Sequence, residues 1–154
     1  MKLRIFNIFI IAIITLTMCQ SCEQDEEENE IKISSFNSTK SHNPGENCMN
    51  CHTSGGSGEG WFTIAGTVYD AAKNQTFPNA TVSLFTGPGG TGVLKATIQV
   101  DKNGNFYTTE KIDFENGLYT TVEGNSNINY MNATTTGGQC NGCHGVSTDR
   151  IWTE

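Results

Sequence analysis

Between Trp61 and Glu123 the chain divides into short runs in which apolar and polar residues alternate, and this alternation limits the fold more than any other feature. "WFTIAGTVY", "ATVSLFT", "VLKATIQV", "GNFYTT" and "GLYTTVE" are each of strand length, separated by Asn, Pro and Gly turn signals. In the third run Leu94, Ala96, Ile98 and Val100 share one face, while Lys95, Thr97 and Gln99 share the other. A strand with one buried side has this pattern. The 17 glycines and only 16% charged residues agree with a turn-rich, mainly β domain. The expectation is a small β-sandwich over residues 61–131, flanked by two short segments with little helix. Hydrophobic residues make up 36% of the chain, some of them in a leader. The core is therefore thin, and a bound group would help to fill it.

"IAGTVYD" (64–70), "PNATVSLF" (78–85) and "VDKNGNFY" (100–107) resemble, in order and spacing, the carboxypeptidase regulatory-like domains. The resemblance covers about half of the chain and implies a prealbumin-like β-sandwich that carries no chemistry of its own. Gly104 after Asn103 suits a hairpin that needs a positive φ.

Chemistry is concentrated on either side of this body. Cys48 and Cys51 lie in "CMNCH", Cys140 and Cys143 in "CNGCH", and two of the chain's three histidines, His52 and His144, directly follow a pair. The histidines call for the same explanation as the cysteines. Three accounts compete. Four thiolates could close a zinc tetrahedron, but 88 residues separate the pairs, whereas zinc ribbons place about 15–20 between them. Disulfides suit an exported protein, yet a thioredoxin-like pair would start a helix in a βαβ setting, which the sequence lacks. The third account is covalent haem c, whose attachment signature is Cys-x-x-Cys-His.

Both motifs resemble the c-type cytochromes. That resemblance implies two covalently bound haem c groups, one on Cys48 and Cys51 with His52 as proximal iron ligand, the other on Cys140 and Cys143 with His144. The haem-binding segments are expected at 41–60 and 132–154. Low-spin carriers take a second axial ligand, His or Met. His42, in the turn sequence "HNPG", is the remaining histidine and the first candidate, although either iron could receive it. Met131, nine residues before Cys140, is the thioether candidate and could equally end a strand in the core. Met49, inside the first motif, could serve only the other iron. Trp61, Tyr130 and Trp152 are candidates to pack on porphyrin faces or simply in the core.

The first residues, "MKLRIFNIFIIAIITLTMCQSC", have a basic start and an apolar run shorter than a bilayer span, the form of a signal peptide over 1–21. Ser21-Cys22 followed by "EQDEEENE" resembles bacterial lipoprotein signals and, in its acidic run, surface-export signals of Gram-negative lipoproteins. The resemblance implies export, acylation of Cys22, and anchorage at the outer membrane or cell surface of a Gram-negative bacterium. Residues 22–40 lack hydrophobic periodicity and read as an acidic flexible tether, with order beginning near Ser41. The net charge of −7 becomes more negative once Lys2 and Arg4 leave with the leader, which argues against nucleic acid as a partner.

The favoured expectation is a dihaem electron carrier of the cell envelope and not an enzyme. Its partners would be other cytochromes, an extracellular acceptor or copies of itself. The alternatives are a peroxidase or gas sensor with one open iron site, and a structural sandwich with zinc or disulfide clips.

Overall fold

The computed structural model describes residues 30–114 and 116–154. The signal-peptide and Cys22 lipidation readings lie outside the described residues. Among those residues no helix is long and apolar enough to cross a membrane.

Among the described residues the chain is mainly β, with two facing sheets, one α-helical turn and two short 3-10 turns. All five alternating runs form strands: β1 (Ile64–Tyr69), β2 (Thr81–Gly87), β3 (Thr91–Gln99), β4 (Asn105–Thr108) and β5 (Tyr119–Glu123). Three further short strands follow, β6 (Ile128–Tyr130), β7 (Gly138–Gln139) and β8 (Ile151–Trp152), with the turn α1 (Cys140–Cys143) between the last two. One sheet is antiparallel with order β3-β2-β5-β6. The other has β1 at its centre, antiparallel to β4 on one side and parallel to both β7 and β8 on the other.

The core lies between the sheets. Ile64, Val68 and Phe106 face Val82, Leu84, Ile98 and Val122, with Ala80, Val100 and Leu118 closing its ends. Burying each larger side chain stabilises the fold by roughly 1.5–3 kcal/mol. The turn that carries the chain from β3 across to β4 in the other sheet is built on Asp101, whose Oδ1 accepts the N–H groups of Asn103 (2.9 Å) and Asn105 (3.0 Å); Gly104 has the expected positive φ of 83°, although the turn joins two sheets and is not a hairpin.

Three features depart from the sequence reading. Residues 30–40, expected to belong to the tether, are built into the fold. Residues 30–36 run beside β4: Ile33 forms a bridge with Thr108, Ser34 N–H donates to Tyr107 O (3.0 Å), and Thr109 N–H donates to Lys32 O (2.9 Å). Ser34 is buried, and its hydroxyl donates to Gln99 O at 2.6 Å. The unpaired edge of β4 supplies these backbone partners, so the strap needs no apolar alternation of its own.

The β-body also continues beyond residue 131. β7 and β8 both add to β1, at Ile64–Ala65 and at Val68–Tyr69. They are two halves of one edge, interrupted by an excursion over 140–150 that carries the second cysteine motif.

The face expected for β3 is only half realised. Ile98 and Val100 are fully buried, whereas Leu94 is 53% exposed. The register shift between Leu84 and Phe85 leaves Lys95 as an extra residue, a bulge that pairs Leu94 with Phe85 and so turns it to the face away from Leu84 and the core.

Every residue of β1 is buried. One face meets the core, and Ala65, Thr67 and Tyr69 on the other are covered by the segment that carries the first cysteine motif. Gly45 N–H, for example, donates to Thr67 Oγ1 at 2.8 Å.

Candidate cofactor site

The two Cys-x-x-Cys-His segments have the same local construction. In the first, Cys48–Asn50 form one 3-10 turn capped by Asn47, whose side-chain oxygen accepts Met49 N–H. The turn hands His52 N–H to Cys48 O at 3.0 Å. In the second, α1 hands His144 N–H to Cys140 O at 2.9 Å. A helical turn brings side chains three residues apart to one side, so each histidine follows directly on a paired set of thiols.

The loop after each motif then orients the imidazole. His52 Nδ1 lies 3.1 Å from Glu59 O and 3.2 Å from Gly60 O, and His144 Nδ1 lies 2.7 Å from Asp149 O. A carbonyl oxygen only accepts, so Nδ1 carries the proton in both rings. Each Nε2 is left with a free lone pair, the form in which neutral histidine binds a metal. The glycine-rich loop 54–60 can wrap this closely because a Cβ on Gly58 would stand 2.7 Å from His52 Nδ1. Phe62 stacks on the His52 ring (4.2 Å between centroids, 11° between planes), and Tyr107 stacks on Phe62 in turn at 4.7 Å. Lysines from distant positions pin both loops, Lys32 to Glu59 at 3.1 Å and Lys73 to Asp149 at 2.7 Å. These are surface pairs of small energetic weight.

Although 88 residues separate the cysteine pairs in sequence, the fold packs the segments together. Asn141, between Cys140 and Cys143, is buried. Its Nδ2 donates to Thr67 Oγ1 (2.9 Å) and to Glu46 O (3.0 Å), and its Oδ1 accepts Thr67 N–H (3.1 Å). The side chain thus fills the gap that the 140–150 excursion leaves in the ladder beside β1. Thr67 Oγ1 donates onward to Asn105 Oδ1 (2.7 Å), and Asn105 Nδ2 reaches Ser41 Oγ (2.9 Å) and His42 O (3.1 Å). A Cβ on Gly66 would lie 2.6 Å from Phe106 and 2.9 Å from the Cβ of Cys140, so only glycine lets the second motif sit this close to β1.

All four cysteines are free thiols. Cys51 and Cys143 are exposed, whereas Cys48 and Cys140 are half-buried, Cys140 against the core. Burial pushes the Cys48 thiol up and that of Cys140 up to about 12, so both are neutral at pH 7. Among the described residues no three His, Cys, Asp or Glu side chains converge on a point that could hold a metal ion.

An apolar, half-open cavity of about 180 Å³ lies beside the second motif, lined by Cys140, Cys143, His144, Met131, Val82, Phe106, Val122, Tyr130, Ile151 and Trp152. A shallower cleft, lined by Met49, Phe62, Phe114 and Gly137–Gln139, meets it at Cys143. Of the candidate sixth ligands, His42 is exposed and its ring stands 5.8 Å from that of His52, tilted by 39°. Met131 is half-buried just past β6 and lines the cavity with His144. Tyr130 and Trp152 border that cavity, while Trp61 is half-buried at the end of the loop around His52.

Sequence reasoning missed Asn141, Thr67 and Asn105. Asn141 occupies a variable position of its motif, Thr67 looks like an outward strand residue, and Asn105 looks like a turn residue. Their one shared signal is that each is a small hydrogen-bonding side chain beside a stronger pattern.

Compared with known protein families, curated proteins and solved structures, the chain matches none.

Proposed function

We propose that this protein is a dihaem c-type cytochrome that carries electrons at the cell envelope. The observation that carries the reading is the duplicated histidine geometry: in both motifs a backbone carbonyl holds Nδ1 and leaves Nε2 free, directly after a helical turn bearing two free thiols. The residues present fit haem c. Cys48 and Cys51 would hold one group with His52 on its iron, and Cys140 and Cys143 the other with His144.

Each thiol would add across one vinyl group, its proton passing to the other vinyl carbon, so that attachment would need no oxidant. Once bound, the group supplies a one-electron iron couple. The apolar cavity beside His144 gives a macrocycle edge a dry surface to rest on.

Neither cysteine pair is closed as a disulfide. The partners under this reading are redox proteins or an extracellular acceptor, and acylation of Cys22 would keep the carrier at a membrane surface.

Expression in a host with cytochrome c maturation tests the proposal. We expect a mass increased by two haems and a haem stain that survives denaturation. A protein of unmodified mass from such a host would end the reading.

A further inference from the structure

From the positions of His42 and Met131 we infer that the two irons are unlike, the first ligated by His52 and His42 and the second by His144 and Met131, so that the second has the higher reduction potential. The inference rests on the dihaem reading.

Consider His42 first. The turn that follows it is fastened at both ends to the central strands: His42 O accepts from Asn105 Nδ2, and Gly45 N–H donates to Thr67 Oγ1. These anchors fold the segment back onto its own motif. Two imidazoles sharing one iron stand roughly 6–6.5 Å apart, from nitrogen–metal bonds near 2 Å and the radius of the ring. The 5.8 Å between His42 and His52 is close to that spacing. His144 lines a cavity that Met131 also lines and His42 does not.

Met131 is fixed as firmly. Its N–H donates to Thr120 O at 2.9 Å, continuing the pairing of β5 and β6, and its side chain lines the same cavity as His144. Met49, the other thioether within the two clefts, borders the shallow one, whose lining includes Cys143 but not His144.

Two effects then raise the second potential over the first. A thioether in place of an imidazole stabilises the reduced iron. The apolar cavity disfavours the extra positive charge of the oxidised iron, while His42 is exposed to water. With this ligand set an electron delivered by a redox protein to either haem would come to rest on the side held by His144 and Met131, from which the next carrier would take it.

The test uses the full holoprotein after its mass confirms two haems, so that failure of the dihaem reading is seen separately. We expect the oxidised protein to show the far-red thioether-to-iron charge-transfer band at an intensity for one haem in two, and potentiometric titration to resolve two one-electron components. Met131→Leu should abolish the band and let one haem per protein bind carbon monoxide, while Met131→His should abolish it and lower the upper component toward the other. His42→Ala should keep the band and open the other haem to carbon monoxide. Met49→Leu should change neither readout. A two-haem protein without the band, a band lost in Met49→Leu and retained in Met131→Leu, or a His42→Ala protein inert to carbon monoxide would each overturn the assignment.

Discussion

Asn141 shows how much one side chain can hold. It is 4% exposed and makes three hydrogen bonds, two to Thr67 and one to the backbone of Glu46, so it joins the second motif to β1 and to the first motif at once. An unsatisfied buried polar group costs about 1–3 kcal/mol. Asn141→Ala strips partners from Thr67 N–H and Glu46 O together, and we expect a loss of about 2–4 kcal/mol in urea unfolding. Asn141→Asp keeps the acceptor for Thr67 N–H but loses the donor to Glu46 O, so it should recover only part of the loss.

Cys140 makes a second prediction, about pH. Its thiol is raised in the folded state from an ordinary value of 9.0 to about 12 by burial. Between those values the unfolded chain has lost the proton that the folded chain keeps, so stability falls as pH rises. We expect the haem-free protein to lose up to about 4 kcal/mol across this window. Cys140→Ala should flatten that slope, and so should haem attachment, since a thioether has no proton to lose. A slope unchanged in Cys140→Ala would sink the attribution.

At the scale of elements, alternation located the strands but not the ends of their burial. By alternation Leu94 and Ile98 share a face of β3, yet the bulge at Lys95 turns Leu94 outward, and Ile98 is 1% exposed and Leu94 53%. Large-to-small changes in cores cost about 2–5 kcal/mol, and surface changes usually stay within about 0.5 kcal/mol. We therefore expect Ile98→Ala to destabilise by about 2–4 kcal/mol and Leu94→Ala by less than about 1 kcal/mol, measured by thermal unfolding. Comparable losses at both would mean that the hairpin end is covered.

The same limit explains β7 and β8. Each is a two-residue strand, too short to display any period, and each exists because the far side of β1 offers it backbone partners. The strap over residues 30–36 is legible only afterwards for a like reason: its order comes from the edge of β4 and from the Ser34 hydroxyl, not from a pattern of its own.

Across the whole molecule, the second sheet and the interleaved core form a platform whose outer side, at β1, carries both cysteine motifs. The sequence by itself determined the strands β1 to β5, the mainly β class and the two local Cys-x-x-Cys-His units, because a period of two and a five-residue motif are complete within a few neighbouring positions. It also named the candidate iron ligands, from the small number of histidines and methionines. Only the tertiary structure decided that the motifs lie side by side, that Asn141 rather than an alternating strand residue joins them, and that His42 stands near His52 while Met131 and His144 line one cavity. Those relations depend on which backbone groups β1 and β4 leave unpaired, and an unpaired group exists only once the sheet around it has formed.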